Sequence, residues 1–100
     1  MEVKQIPAEA TYELRAKVLR PGQPVQAAIM PRDGEAVHFG LFVDDRIVST
    51  VTAHPDQKPE FGVAGQWRIR GMATDLGLQG KGYGRVVLDA ILAWGREQGI

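Results

Sequence analysis

Three glycines at alternate positions, Gly80, Gly82 and Gly84, interleave with Gln79, Lys81, Tyr83 and Arg85 in the stretch QGKGYGR. An apolar segment with a period of three to four residues follows at once, so the cluster opens a helix. The chemistry this arrangement suits is anion binding. The first N–H groups of a helix have no internal acceptors, and the peptide dipoles add roughly half a positive charge there. Glycines remove the side chains that would hold phosphate oxygens away from those amides. Lys81 and Arg85 add positive charge beside them, although a solvated surface role would suit both equally.

Two common phosphate motifs do not fit. A Walker loop needs an earlier glycine and a Ser or Thr after its Gly-Lys pair, whereas Gly82 follows Gly80-Lys81 here. A dinucleotide fingerprint read from Gly80 reaches Arg85 where it needs glycine, and read from Gly82 it reaches Val87.

A loop of this kind must hang between a strand and a helix, and the flanking patterns supply both. Gln66 to Thr74, QWRIRGMAT, alternates Trp67 and Ile69 with Arg68 and Arg70, and Gly71 breaks the alternation as a bulge or close approach would. From Gly84 the period changes. Val87, Leu88, Ile91, Leu92 and Gly95 form an inner side, Arg85, Asp89 and Arg96 point outward, and Gly99 stops the helix. Upstream, Val3–Ile6 reads as a strand and Pro7 opens a helix that ends at Arg20 before Pro21. Tyr12, Leu14, Val18 and Leu19 make its apolar side, with Glu9, Glu13, Arg15 and Lys17 facing water. A turn-rich segment follows, and its apolar patch from Val25 to Met30 carries no clear period. Val37–Val43 and Ile47–Ala53 read as strands joined by a tight Asp44-Asp45 turn, and Pro55 to Gly65 as a polar loop. The order predicts one domain over residues 1–100, of α/β (α+β) class, with a mixed, largely antiparallel sheet and flanking helices.

The segment Gln79-Gly80-Lys81-Gly82-Tyr83-Gly84 matches R/Q-x-x-G-x-G/A, behind a strand ending GMAT and ahead of an amphipathic helix. On these residues the sequence resembles the GNAT superfamily of acyl-CoA-dependent N-acyltransferases. The resemblance is strong from Arg68 to Gly99 and looser over the strand order from Val3 onward. It implies an N-acetyltransferase that moves an acetyl group from acetyl-CoA to a primary amine of a small molecule or peptide. It also implies that the pyrophosphate of coenzyme A rests on the backbone of Gln79, Gly80, Lys81, Gly82, Tyr83 and Gly84, with Arg85 beside it. The pantetheine arm would run along Met72, Ala73 and Thr74, where a bulge aims one N–H at the thioester carbonyl. That oxygen gains negative charge as an amine attacks, and a fixed amide donor is often worth about 2.7–4 kcal/mol there.

The family pattern continues past this helix with another strand, a further helix and a tyrosine that protonates the leaving thiolate. Here Gly99-Ile100 reads as a cap and the start of that next strand, and Tyr12 and Tyr83 lie elsewhere. The expectation is a shortened member lacking the C-terminal strands, which associates as a homodimer through the open strand edge near Met72. A truncated chain, or a short coenzyme A-binding module without catalysis, are the other readings. No catalytic residue is assigned beyond His54 as a candidate base at a strand end, ahead of His38, Glu60 and Asp75. Arg68 and Arg70 would suit an anionic acceptor or simple solvation.

Composition narrows the class. Twelve basic and twelve acidic residues cancel, so nothing in the net charge draws the chain to nucleic acid or an anionic membrane. The absence of cysteine excludes disulfides, thiol nucleophiles and cysteine-based zinc sites, and no metal is expected. No apolar run approaches the roughly 20 residues of a bilayer span, and the N-terminus lacks a signal-peptide pattern, so the expected location is cytoplasmic.

Overall fold

In the computed structural model of the chain, residues 1–31, 33–55 and 67–99 are described. Four strands, β1 (Glu2–Ile6), β2 (Val37–Val43), β3 (Arg46–Pro55) and β4 (Trp67–Thr74), form one sheet in the order β1-β2-β3-β4. Every described pairing is antiparallel. Two helices flank it, α1 (Tyr12–Leu19) and α2 (Tyr83–Glu97). The expected loop from residue 56 to Gly65, with Glu60 in it, lies outside the described residues, as do Gln66 and Ile100.

The β2–β3 hairpin turns on Asp44 and Asp45, with φ of 51° and 61°. A two-residue hairpin whose twist matches its strands needs positive φ at both positions, and aspartate tolerates it through its short polar side chain. β3 runs longer at both ends than its β-branched stretch indicated, because pairing with β2 and β4 carries it from Arg46 to Pro55.

Successive residues of a strand face opposite sides of a sheet, and β3 uses both sides. Val51 and Ala53 turn toward α2, where they join Leu41, Val48, Val87 and Ile91 in the apolar core. Thr52 turns toward α1, where Arg15 bonds its hydroxyl. Trp67 and Trp94 meet edge to face, with ring centroids 5.5 Å apart, at one end of the α2 side.

Three expectations about the helices need correction. Arg15 does not face water. It is 1% exposed, and the burial of Leu14, Arg15 and Ala16 in succession replaces a simple apolar stripe on α1. Leu19, assigned to the apolar side, is exposed, because α1 ends there and the chain turns away through Arg20. On α2 only Val87 and Ile91 are fully buried. Leu92 is 42% exposed, since no described element lies over it. Among the described residues, no helix is long and apolar enough to cross a membrane.

Candidate functional site

The site begins with a fault in the β3–β4 ladder. Thr50 faces Ala73 and Thr52 faces Arg70, so Gly71 and Met72 together oppose the single residue Val51. This is a β-bulge, and Gly71 takes φ +64°, a left-handed value natural to glycine. Beyond it β4 closes on β3 again. Thr74 Oγ1 lies 2.8 Å from Ser49 Oγ, and the Asp75 N–H donates to the Val48 carbonyl at 2.8 Å. Lys17 of α1 donates to Asp75 Oδ1 at 2.8 Å, and this bond holds the Asp75 carboxyl below its usual pKa. A carboxylate made less basic by its lysine is a poor proton acceptor, which counts against Asp75 as a base.

A single 3₁₀ turn, Leu76–Leu78, then leads into the glycine loop. The Gln79 side chain reaches back and donates to the Thr74 carbonyl at 3.2 Å, tying loop to strand. Gly80 and Gly82 both take φ +82°, and a Cβ built on either would meet nothing within 4 Å. Their backbones therefore turn with their outer sides open. Gly84 answers a different need. Its φ is ordinary, but a Cβ there would sit 3.4 Å from Thr74 Oγ1, so the helix start lies close against the end of β4.

Gly82 caps α2, and its carbonyl accepts the first intrahelical bond, from the Val86 N–H at 3.2 Å. The N–H groups of Tyr83, Gly84 and Arg85 precede that bond and lie outside the helix's own ladder, with no side chain capping them. A cavity of about 350 Å³ opens at this junction. Met72, Ala73 and Thr74 form its strand side, Gln79, Gly80 and Gly82 its loop side, and Tyr83 and Gly84 its helix side.

The structure thus brings together eight of the ten expected cofactor residues, read from the lining of one cavity. Lys81 and Arg85 do not line it. Arg85 instead bonds Asp89 one helical turn on, at 3.1 Å, with both side chains exposed. Val18 and Leu78 line the cavity and were missed. Leu78 carries no signal beyond its place next to the motif, and Val18 sits on a helix 60 residues upstream that only the tertiary fold brings near. His54 lies elsewhere. It pairs across the ladder with Arg68, on the other side of the bulge from the loop, and its buried ring puts Nδ1 3.0 Å from the Pro55 carbonyl. The carbonyl can only accept, so Nδ1 is the donor in that contact.

On the α1 side of the bulge the chain buries charge. Arg15 Nη1 donates to Asp33 Oδ2 at 2.9 Å and to the Ala28 carbonyl at 2.9 Å, while Nη2 donates to Thr52 Oγ1 at 2.8 Å. Asp33 Oδ2 also accepts the Met30 N–H at 2.9 Å. Thr52 Oγ1 lies 2.8 Å from His38 Nδ1, and His38 Nε2 lies 3.3 Å from the Asp33 carbonyl. That carbonyl can only accept, so Nε2 carries the proton, and the Thr52 hydroxyl donates to Nδ1. A neutral ring satisfies both contacts. Burial, first of all, lowers the His38 pKa, and the nearby Arg15 charge adds to it against the opposing pull of Asp33 and Glu9.

The bulged strand, the open glycine turns and the unladdered N–H groups can be set against known proteins. The family model described as Acetyltransferase (GNAT) family matches residues 4–100. The chain belongs to the GNAT acetyltransferase family. A curated relative, the uncharacterized N-acetyltransferase YitI of Bacillus subtilis, is 37% identical over 76 residues, which are 74% of this chain and 51% of that protein. The chain thus spans about half the length of the curated relative it matches. Solved structures share the GNAT fold. A protein of Enterococcus faecalis described as a probable N-acyltransferase aligns at TM-score 0.78 and 19% identity, covering 99% of this chain and 27% of its own. A GCN5-related N-acetyltransferase from Ralstonia eutropha aligns at TM-score 0.70 and 13% identity, covering 99% of this chain and 78% of its own. An acetyltransferase of Trypanosoma brucei aligns at TM-score 0.68 and 20% identity, covering 98% and 76%.

Proposed function

We propose that this GNAT chain binds acetyl-CoA at the β4–α2 junction and serves N-acetyl transfer to a primary amine of a small molecule or peptide, in the cytoplasm. The observation that carries the reading is the cavity in which the end of a bulged strand meets two open glycine turns and a bare helix start. The residues present fit the group. The main chain of Gln79 to Gly84 would hold the diphosphate, with the N–H groups of Tyr83, Gly84 and Arg85 as donors and the helix dipole behind them. Val18, Leu78 and the main chain of Met72 to Thr74 offer the less polar wall along which an acyl-bearing arm would lie. When bound, acetyl-CoA supplies a thioester whose acyl carbon gains a C–N bond and loses its C–S bond, while the amine gives up a proton and the thiol sulfur takes one. Arg85, held by Asp89, would add charge at the rim rather than a directed contact. His54, buried beyond the bulge and outside this cavity, remains the base candidate the sequence offered.

The test is ligand-induced stabilisation. At about 100 times its dissociation constant, acetyl-CoA should add about 2.7 kcal/mol to unfolding. Gly82→Asp forces a side chain into a left-handed position and sets a carboxylate where the diphosphate would rest, so it should abolish that gain. Identical behaviour of the two proteins would sink the reading.

One observation favours a second reading, a non-catalytic coenzyme A-binding or partner-binding module that dimerises. Among the described residues β4 forms an edge of the sheet, with Ile69 and Met72 exposed on it. That reading expects concentration-dependent sedimentation and no thiol release with any amine in a panel. Thiol release from a monomer would exclude it.

A further inference from the structure

The buried ion pair sits directly beneath the bulge. A Cβ built on Gly71 would lie 3.2 Å from Arg15 Nε, 3.5 Å from Nη2 and 3.6 Å from Cζ, so the Nε–Nη2 edge of the guanidinium is the part presented to the bulge. The opposite end of the group is bound, since Nη1 carries both Asp33 and the Ala28 carbonyl. Nε is buried and has no hydrogen-bond partner among the described residues. A protein rarely leaves a buried cationic N–H unpaired, and doing so beside a backbone distortion invites a reason.

We propose that Arg15, anchored by Asp33, is a positioning residue for acyl transfer: it props the Gly71 bulge in shape and turns the positive end of the ion pair on the Met72–Ala73 backbone. This rests on the acetyl-CoA reading above for its functional half.

The pair is neutral as a whole, but its charges are not equally distant. The guanidinium edge lies under Gly71, 3.2–3.6 Å from where a Cβ would stand, and the carboxylate binds the other end of the group, so the nearer positive end dominates the local field in a low-dielectric interior. A cation beneath an N–H donor strengthens what that donor offers to an oxygen on its outer side. Gly71 is thereby required twice, by its φ and by the arginine under it.

The test is the double variant Arg15→Met/Asp33→Asn, which removes both charges while leaving an amide oxygen for the Met30 N–H. Ile91→Ala serves as the control, because it destabilises the opposite side of the sheet without touching the pair. In the free chain, the amide resonances of Gly71, Met72 and Ala73 should move in the double variant and stay in place in the control. With isotope-labelled acetyl-CoA bound, the thioester carbonyl stretch should lie below its free value in wild type. It should return most of the way in the double variant, at unchanged affinity, because the glycine loop is intact. Should the double variant unfold, Arg15→Lys takes its place. An ammonium lacks the planar edge at Gly71, so the same resonances should move. Unmoved resonances in these variants, or a wild-type carbonyl shift in the double variant, would overturn the proposal. Absence of acetyl-CoA binding by wild type would instead defeat the functional reading and with it the carbonyl half, leaving the resonances of the free chain to decide the role of Arg15 at the bulge.

Discussion

On the side of β3 that meets α2, Val51 and Ala53 pack against Val87 and Ile91 with nothing but apolar surface between them. One residue along the strand, Thr52 turns the other way and accepts a bond from a buried arginine. The first contact is non-directional, so it holds the helix to the sheet without dictating where any one atom lies. The second is made of bonds of 2.8–2.9 Å whose angles matter, so it fixes positions at the cost of desolvating charge. The apolar side supplies cohesion and the polar side supplies placement. The bulge that shapes the cavity is supported from the polar side.

The largest effect that would separate the two sides is expected from Arg15→Met alone. It strands the Asp33 carboxylate in the interior, and urea denaturation should show a loss of about 3–5 kcal/mol, as for other broken buried pairs. Adding Asp33→Asn should recover much of that loss. A single variant no less stable than the double one would mean that the pair is not desolvated. On the opposite side, Ile91→Ala should lose about 2–5 kcal/mol through lost burial and the cavity left behind. That loss should not change with pH between 5 and 8, because among the described residues no carboxylate or imidazole joins that apolar cluster. Smaller, and confined to the polar side, is the contribution of His38. Its folded pKa lies below the usual 6.5, so the unfolded chain takes up the proton first. Stability should be full above pH 6.5 and fall as the pH drops below it, until the folded ring itself titrates. Comparing wild type with His38→Gln by denaturation across this range isolates the term, and parallel pH profiles would refute it.

The apolar side was legible in the sequence and the polar side was not. Strand alternation and the period of α2 are local patterns of residue type, so β1, β2, β4 and the helix after Gly82 could be read with ends shifted by a residue or so. The glycine loop was legible for the same reason. Arg15 was not, because a charged residue on a short helix reads as solvent-facing unless its partners are known. Those partners lie far along the chain, Asp33 at a separation of 18 and Thr52 at 37. The patch from Val25 to Met30 resisted assignment because its role is carried by its backbone. Its 3₁₀ turn, Val25–Ala28, presents the Ala28 carbonyl to the same guanidinium. Leu92 misled in the other direction, since an apolar residue at the right period stays exposed when no described element lies over it.

The extra residue in β4 has a consequence for the strand's phase. Before Gly71 the odd-numbered residue Ile69 stands opposite Ala53 on the α2 side, whereas after it the odd-numbered Ala73 stands opposite Thr50 on the α1 side. The two halves of β4 are thus out of step by one. Were Gly71 paired in regular alternation instead of bulged, Met72 and Thr74 would swing to the side away from the glycine turns. The strand reaches its loop with the correct side chains forward only because it has miscounted once on the way.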